Sequence, residues 1–267
     1  MKRRQFLTSA AVASVAAAGA SNDYLRAAAD TDTKGGEFYQ LRRYQLARGP
    51  QLKLADDYFR EALVPGLNRM GIAPVGVFNL SIGPDTPAVY VLIPGASAEM
   101  LSGLEKRLWQ DAQYTKAGSD FLKAPAKEPA FHVVEVSLMQ AFESMPKLKL
   151  PSATAQNKPR LFELRTYKSP TDEFHRRKVE MFNSAEIALQ AKLNMGAVFY
   201  GDTICGSPMP NLTYMLCFDN LADREKKFLA FNDTAEWKAL STDPKYPVEI
   251  VATVSNILLS PTGYSQI

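Results

Sequence analysis

The chain has 267 residues, of which 46% are hydrophobic and 22% are charged, as in an ordinary globular protein. The formal net charge of +3 comes from Lys2, Arg3 and Arg4, and the rest of the chain has equal numbers of basic and acidic residues. A chain without net charge lacks the basic field that gathers nucleic acid. The sequence has no run of about 18 apolar residues, so it predicts no permanent membrane span.

Residues 1–29 have the order of an export signal. A basic start is followed by an uncharged stretch rich in Ala and Val, and Ala18-Gly19-Ala20 offers a cleavage site after Ala20. Ala27-Ala28-Ala29 is a second candidate cleavage site. Arg3 and Arg4, followed by x-Phe-Leu, resemble the twin-arginine signal that bacteria use for folded proteins. We therefore expect export to the periplasm, with a Sec-type signal as the alternative.

The pattern of residues 36–142 predicts two consecutive strand–helix–strand units. The periodicity indicates, in chain order, a strand at Glu37–Leu46, a helix at Leu52–Met70, strands at Pro74–Ser81 and Ala88–Pro94, a helix from Ser97 to about Trp109, and a closing strand at Phe131–Met139. Ser97 is a plausible N-cap of the second helix, and Gly71 ends the first one.

Residues 159–267 repeat this order after a linker at 145–158. Phe38–Tyr44 reappears as Leu161–Tyr167, Met70-Gly71 as Met195-Gly196, and Tyr90 as Tyr214. The second copy predicts, in order, Leu161–Tyr167, Glu173–Leu193, Ala197–Thr203, Leu212–Phe218, Asp223–Phe231 and Glu249–Leu258.

The order β-α-β-β-α-β predicts an α+β fold of two tandem ferredoxin-like units. Each unit has a four-stranded antiparallel sheet with its helices on one face, so the other face needs a cover. A second sheet facing the first supplies that cover and makes a barrel of the dimeric α/β type. The two halves of one chain pair in this way, or each half pairs with a half from another chain.

Polar side chains alternate along the first strand of each copy. If Leu41 and Leu164 face the helices, then two sets point into the barrel interior: Gln40, Arg42 and Tyr44, and Glu163, Arg165 and Tyr167. Buried arginines need partners. The partner is either internal, such as Glu163 or Glu135, or an anionic or phenolic ligand held by the guanidinium groups.

Few other residues suggest chemistry. His175 near a helix start is a candidate general base or haem ligand, or else a solvated helix-end residue. Trp237 is a packing anchor or a residue that stacks on a ligand. Cys205 and Cys217 are too few for a disulfide scaffold and are expected to be buried fillers. No metal-ligand spacing and no phosphate or dinucleotide motif occurs.

The second copy resembles the NIPSNAP family. The resemblance lies in Phe162–Tyr167 and in Asn220-Leu221-Ala222-Asp223-Arg224-Glu225 leading to Asp233 and Glu236-Trp237, and the first copy matches more loosely. The resemblance implies the dimeric α/β barrel and no settled catalytic residue. Its superfamily includes haem-handling proteins and cofactor-independent oxygenases, so haem is conceivable although no cofactor is evident.

Three functions are consistent with this sequence. The first is an exported protein that binds a small anionic, phenolic or hydrophobic molecule in the barrel interior, lined by Glu163, Arg165, Tyr167, Arg42, Tyr44 and Trp237. The second is an oxygenase- or isomerase-like enzyme that uses Arg165 for charge and Tyr167 or His175 for proton transfer. The third is an assembly module with a filled barrel, which an interior cavity below about 300 Å³ would favour.

Overall fold

The computed structural model describes residues 35–156 and 158–267. Gly35–Ile267 form one compact unit. The export signal predicted from Arg3, Arg4 and the cleavage site after Ala20 lies outside the described residues.

The first repeat (residues 36–142) contains four strands and the helices between them. Its strands are β1 (Phe38–Gln45), β2 (Gly76–Ile82), β3 (Ala88–Gly95) and β4 (Val133–Ala141). Its helices are α1 (Pro50–Tyr58), α2 (Val64–Arg69), α3 (Ala98–Ser102), α4 (Leu104–Leu108), α5 (Ala112–Ala117) and α6 (Ser119–Leu122). Ser97 is the N-cap of α3, as predicted, because its side chain accepts from the backbone N–H of Met100. Helices α5 and α6 were not predicted.

The second repeat (residues 159–267) follows the same order after the short helix α7 (Ser152–Ala155). Its strands are β5 (Leu161–Lys168), β6 (Ala197–Cys205), β7 (Asn211–Phe218) and β8 (Thr253–Pro261). Its helices are α8 (Asp172–Met181), α9 (Ile187–Lys192), α10 (Leu221–Asp233), α11 (Ala235–Ser241) and the 3₁₀ turn Val248–Ile250.

Both repeats interrupt their first long helix with one π-helical turn. Phe59–Leu63 joins α1 to α2, and Phe182–Glu186 joins α8 to α9. Each long helix is then followed by a glycine with positive φ, Gly71 at 76° and Gly196 at 70°. Equal placement of the π-helical turns aligns the two repeats residue by residue along the first helix, and in that alignment Gly71 corresponds to Asn194, whose φ is 52°.

The eight strands form one closed barrel in the order β1-β3-β2-β8-β5-β7-β6-β4. Antiparallel pairing of β2 with β8 and of β4 with β6 joins the two sheets within the chain. The predicted α+β architecture of two ferredoxin-like sheets in a barrel is confirmed. Closure removes the exposed strand edges that an open sheet would leave.

The barrel interior is filled by apolar side chains from both repeats. Tyr39 packs against Phe199 with ring centroids 5.0 Å apart, and Phe78 packs against Phe162 at 4.8 Å. The interior cavity at the polar end of the barrel, which Arg43 and Thr166 help to line, has a volume of about 280 Å³. The barrel is therefore mostly a packed core.

The strand register corrects one of the repeat pairs. Arg165 lies opposite Tyr214, whereas Arg42 lies opposite Val91. Tyr214 therefore corresponds to Val91, and Tyr90 belongs to the interior cluster instead.

No helix among the described residues is both long and apolar enough to cross a membrane.

Candidate functional site

The polar side chains of β1 and β5 point toward the helices and not into the barrel. Gln40 donates to the backbone carbonyl of Leu101 at 3.2 Å, and Arg42 donates to Glu105 at 2.6 Å. Leu101 and Glu105 lie on helices of the first repeat. Leu41 and Leu164 instead pack in the barrel interior. The predicted orientation of both strands is therefore wrong. The helices themselves supply polar partners, so the layer beneath them does not have to be dry.

Glu163 is the centre of a closed ion-pair network in the second repeat. Its side chain is fully buried and accepts from Arg165 at 2.7 Å. Arg224 on α10 donates to both of its carboxylate oxygens at 2.7 Å. The internal partner that the sequence allowed for Arg165 is thus present. Glu135 pairs with Arg43 at 2.7 Å instead.

Aromatic rings enclose Arg165 on its remaining sides. Its guanidinium lies 4.9 Å from the ring centre of Phe228 and 5.5 Å from that of Tyr167. Arg165 donates to the Tyr167 hydroxyl at 2.8 Å, and that hydroxyl lies 2.9 Å from the Tyr214 hydroxyl. Arg165 is therefore paired and stacked by side chains of its own repeat.

Arg42 has different partners in the first repeat. Its Nε donates to Gln40 Oε1 at 2.6 Å, and its Nη1 pairs with Glu105. The side chain of Arg42 is 5% exposed, whereas that of Glu105 is 58% exposed. The Nη2 atom makes no hydrogen bond to any described residue. Arg42 is thus a buried cation whose carboxylate partner comes from the solvent side.

A cavity of about 490 Å³ lies beside Arg42, between the sheet and the helices of the first repeat. Its polar lining consists of Gln40, Arg42, Tyr44, Tyr58 and Glu105. Its apolar lining consists of Phe121, Leu122, Phe131, Val134 and Val136. Ligand cavities in proteins usually have volumes of about 300–1,000 Å³. This cavity has the size and the mixed lining of a small-molecule site.

The tyrosines of the cavity are proton donors at neutral pH. Burial raises the pKa of Tyr44, although Arg42 opposes the shift, and burial raises the pKa of Tyr58 well above its usual value. The Tyr58 hydroxyl lies 2.8 Å from that of Tyr114. Burial lowers the pKa of Arg42, but attraction to Tyr44 and Glu105 more than offsets it, so the guanidinium stays charged.

His175 is buried against β6 and is not a solvated helix-end residue. Its Nε2 lies 2.6 Å from Asp202 Oδ1, and its Nδ1 is buried with no partner among the described residues. A haem iron needs a free imidazole nitrogen that faces open space. Neither nitrogen meets this need, so His175 does not fit the role of a haem ligand.

Trp237 belongs to the helix layer of the second repeat and not to the cavity. Its ring lies 4.6 Å from that of Phe231, and Lys178 lies 5.9 Å from its ring centre. Lys178 pairs with Glu186 at 3.1 Å in the same buried layer. Trp237 is therefore a packing residue, as one of the two interpretations of the sequence predicted.

The two cysteines differ in exposure, and no metal site is found among the described residues. Cys217 is buried, which raises the pKa of its thiol to about 12, whereas Cys205 is exposed, contrary to the prediction. In residues 35–156 and 158–267, no group of three or more His, Cys, Asp or Glu side chains could hold a metal ion.

Sequence reasoning missed Glu105 and Phe228 as site residues and gave Arg224 no role. Ser97 and Asn220 are the N-caps of α3 and α10. Counting from these caps would have paired Leu101 with Arg224 and Glu105 with Phe228. Leu101 and Arg224 contact Gln40 and Glu163, and Glu105 and Phe228 contact the two buried arginines.

The NIPSNAP family model matches residues 39–125 and 162–266, which is one segment in each repeat. No curated protein matches the chain.

Solved structures share the fold at low sequence identity. A candidate monooxygenase from Fusobacterium nucleatum is 10% identical, with a TM-score of 0.53 over 85% of this chain and 93% of its own. A candidate monooxygenase from Lactobacillus acidophilus is 9% identical, with a TM-score of 0.53 over 85% of this chain and 94% of its own. A NIPSNAP family protein from Agrobacterium tumefaciens is 22% identical, with a TM-score of 0.37 over 41% of this chain and 91% of its own.

Proposed function

Because this chain belongs to the NIPSNAP family, whose fold it builds twice, we propose that it binds one small molecule with an apolar body and an anionic end in the first repeat. The observation that carries the proposal is the cavity of about 490 Å³ with the buried Arg42 in its wall. The site lies between the sheet and the helices, so the binding location predicted inside the barrel is replaced.

Arg42 supplies the charge that an anion needs. Its Nη2 makes no hydrogen bond to a described residue, while Nε and Nη1 are held by Gln40 and Glu105. Because Gln40 holds Nε, the guanidinium is already oriented, so an anion that binds its Nη atoms loses little affinity to ordering. Hydrogen bonds to an ionised group are about twice as strong as neutral ones.

The remaining walls favour an apolar body. Phe121, Phe131 and Val136 present rings and methyl groups to the cavity, and Tyr44 and Tyr58 add hydroxyls that stay protonated at neutral pH. Burial of apolar ligand surface contributes about 25 cal/mol per Å². The walls therefore supply affinity, and Arg42 orients the ligand.

The second repeat is expected not to bind the same molecule. Phe228 covers Arg165, and Glu163 pairs with both Arg165 and Arg224. A stoichiometry of one ligand per chain follows from this difference.

The test uses 1-anilinonaphthalene-8-sulfonate, an aromatic anion, titrated into the purified chain by calorimetry. The proposal expects one site, and Val136→Phe, which fills the cavity, should weaken binding at least about tenfold. Asn256→Phe is the matched control, because Asn256 lies opposite Arg165 as Val136 lies opposite Arg42. Equal affinities for the wild type and Val136→Phe would overturn the proposal.

Arg42→Gln and Arg165→Gln separate the role of charge from that of shape. Loss of Arg42 should weaken the sulfonate by about tenfold, in the range of a charge-assisted hydrogen bond. Loss of Arg165 should leave the affinity of the folded protein for the sulfonate unchanged. Circular dichroism measures the fraction of the variant that is folded.

We also propose that the protein works outside the bacterial cytoplasm. The sequence from Lys2 to Ala20 supports this, with Arg3 and Arg4 as the export determinant. Cell fractionation of a bacterial host should find the mature chain in the periplasm, and mass spectrometry should show cleavage after Ala20. Lysine at both Arg3 and Arg4 should retain the chain in the cytoplasm, and unchanged export of that variant would exclude the twin-arginine route.

A further inference from the structure

We infer that the ligand of the first repeat is an aromatic carboxylate whose carboxylate takes the place of Glu105 beside Arg42 and whose ring fills the apolar part of the cavity. This inference rests on the proposed binding function and narrows its ligand class. It follows from the different side chains that the two repeats place around equivalent arginines.

The repeats align through the helix that crosses each buried arginine. The side chain of Ser97 caps α3 by accepting from Met100, and the side chain of Asn220 caps α10 by accepting from Asp223. The fourth residue after each cap contacts the strand position two residues before the arginine. Leu101 accepts from Gln40 through its carbonyl, and Arg224 donates to Glu163.

The eighth residue after each cap contacts the arginine itself. In the second repeat it is Phe228, whose ring centre lies 4.9 Å from the Arg165 guanidinium. In the first repeat it is Glu105, which bonds Arg42 at 2.6 Å. The two repeats therefore place a ring and a carboxylate at equivalent positions beside equivalent arginines.

The second repeat supplies Arg165 with both groups from its own chain. The carboxylate is Glu163, fully buried, and the ring is Phe228. Stacking of guanidinium on an aromatic face and pairing with a carboxylate are the two interactions that a buried arginine makes best. Arg165 has no remaining capacity for a ligand.

The first repeat lacks the ring and holds its carboxylate loosely. Gln40 replaces the buried glutamate, and Arg42 stacks on no aromatic ring among the described residues. The cavity opens where the ring is missing, since Glu105 and Arg42 both line it. An aromatic ligand would fill with its ring the space that Phe228 fills in the second repeat.

Glu105 acts as a carboxylate that the ligand displaces. Two carboxylates on one guanidinium face repel each other, and Glu105 is more than half exposed, so releasing it to water costs little. A ligand carboxylate that replaces it is enclosed by the cavity and screened less by solvent. Glu105 therefore sets the affinity for carboxylates without being part of the bound complex.

The test measures 2-naphthoate, 2-naphthol and cyclohexanecarboxylate by calorimetry on the mature chain. We expect 2-naphthoate to bind most tightly. Glu105→Gln removes the competing charge and should tighten 2-naphthoate about fivefold, while leaving 2-naphthol within about twofold. Glu105→Phe copies the second repeat, fills the space over Arg42 and should abolish binding. Phe228→Gln is the matched substitution in the second repeat and should change neither affinity.

Two results would overturn the inference. One is unchanged or weaker 2-naphthoate binding in Glu105→Gln, and the other is 2-naphthol or cyclohexanecarboxylate binding as tightly as 2-naphthoate. The proposed function fails separately, when Val136→Phe leaves binding of the anilinonaphthalene sulfonate unchanged. If Val136→Phe blocks the sulfonate but Glu105→Gln does not tighten 2-naphthoate, only the aromatic carboxylate inference is lost.

Discussion

Arg42 Nη1 lies 2.6 Å from Glu105 Oε1, in a pair that joins a buried guanidinium to a carboxylate on the solvent side. In the corresponding pair of the second repeat, Arg165 with Glu163, the carboxylate is fully buried and is also held by Arg224. The same strand position thus carries an exchangeable ion pair in one repeat and a permanent one in the other. In the proposed function, the first repeat is the copy that accepts a ligand.

Glu163→Gln is expected to destabilise the fold by about 2–4 kcal/mol, because it leaves two buried arginines without their shared carboxylate. Urea unfolding followed by circular dichroism measures the change. Glu105→Gln is the matched variant in the first repeat, and we expect a loss of about 1 kcal/mol or less, since its carboxylate is exposed. Equal losses would contradict the difference between the two pairs.

The first repeat also suggests a rescue for Glu163→Gln. Leu101 and Gln40 occupy the positions of Arg224 and Glu163, so the double variant Glu163→Gln with Arg224→Leu copies a combination that already packs in this protein. We expect it to recover at least half of the lost stability, because one unpaired charge is removed. A double variant less stable than Glu163→Gln alone would refute the equivalence.

Gly71→Ala and Gly196→Ala should differ although both glycines follow the first long helix of their repeat. Both have positive φ, which costs a residue with a side chain about 1–2 kcal/mol. A Cβ at Gly71 meets no atom within 4 Å, whereas one at Gly196 overlaps the backbone carbonyl of Cys217. Unfolding experiments should show the larger loss for Gly196→Ala, and equal losses would argue against the close approach of the two backbones.

Stability should fall between about pH 10 and pH 12 in a way that depends on Tyr114. Burial raises the pKa of Tyr114 to about 12 in the folded chain, with Tyr58 opposing the shift, whereas an unfolded tyrosine has a pKa near 10. The native state therefore keeps a proton that the unfolded state has lost, so this stabilisation is full below pH 10 and is lost as the pH rises to 12.

The measurement for Tyr114 is the urea midpoint at pH 9, 10, 11 and 12. Tyr114→Phe should lose less stability than the wild type over this range, since it has no proton to release. Parallel curves for the two proteins would contradict the raised pKa of Tyr114.

Lys178→Met should cost about 3–5 kcal/mol, because it leaves the buried Glu186 carboxylate without its cation. The π-helical turns align Lys178 with Ala55 and Glu186 with Leu63, so the first repeat packs apolar side chains at these positions. The double variant Lys178→Met with Glu186→Leu should therefore be more stable than Lys178→Met in thermal unfolding. The opposite order would show that the carboxylate finds another partner.

Much of the fold was predictable from short patterns in the sequence. Alternation with a period of two and apolar spacing of three and four residues located all eight strands and the main helices, and the repeat explained how two bare sheet faces are covered. Ser97 and Gly71 were recognisable from local chemistry alone, because an N-cap and a positive φ each depend on neighbours within a few residues. These features need no knowledge of distant contacts.

The orientation of β1 and β5 was decided by the tertiary structure. Alternation shows that Arg42 and Leu41 lie on opposite faces, but it does not say which face meets the helices. The partners of the two arginines settle this, and Glu105 and Arg224 come from helices about 60 residues further along the chain.

The sequence by itself thus determined a duplicated α+β barrel chain with two inequivalent copies and a row of arginines and tyrosines on one face of each first strand. Only the tertiary structure decided that this face lies under the helices and that the open site is in the first repeat. The physical reason is that burial of charge depends on what packs across the layer. A phenylalanine fills the space over Arg165, whereas at the equivalent position a glutamate reaches out to solvent and leaves a cavity beside Arg42.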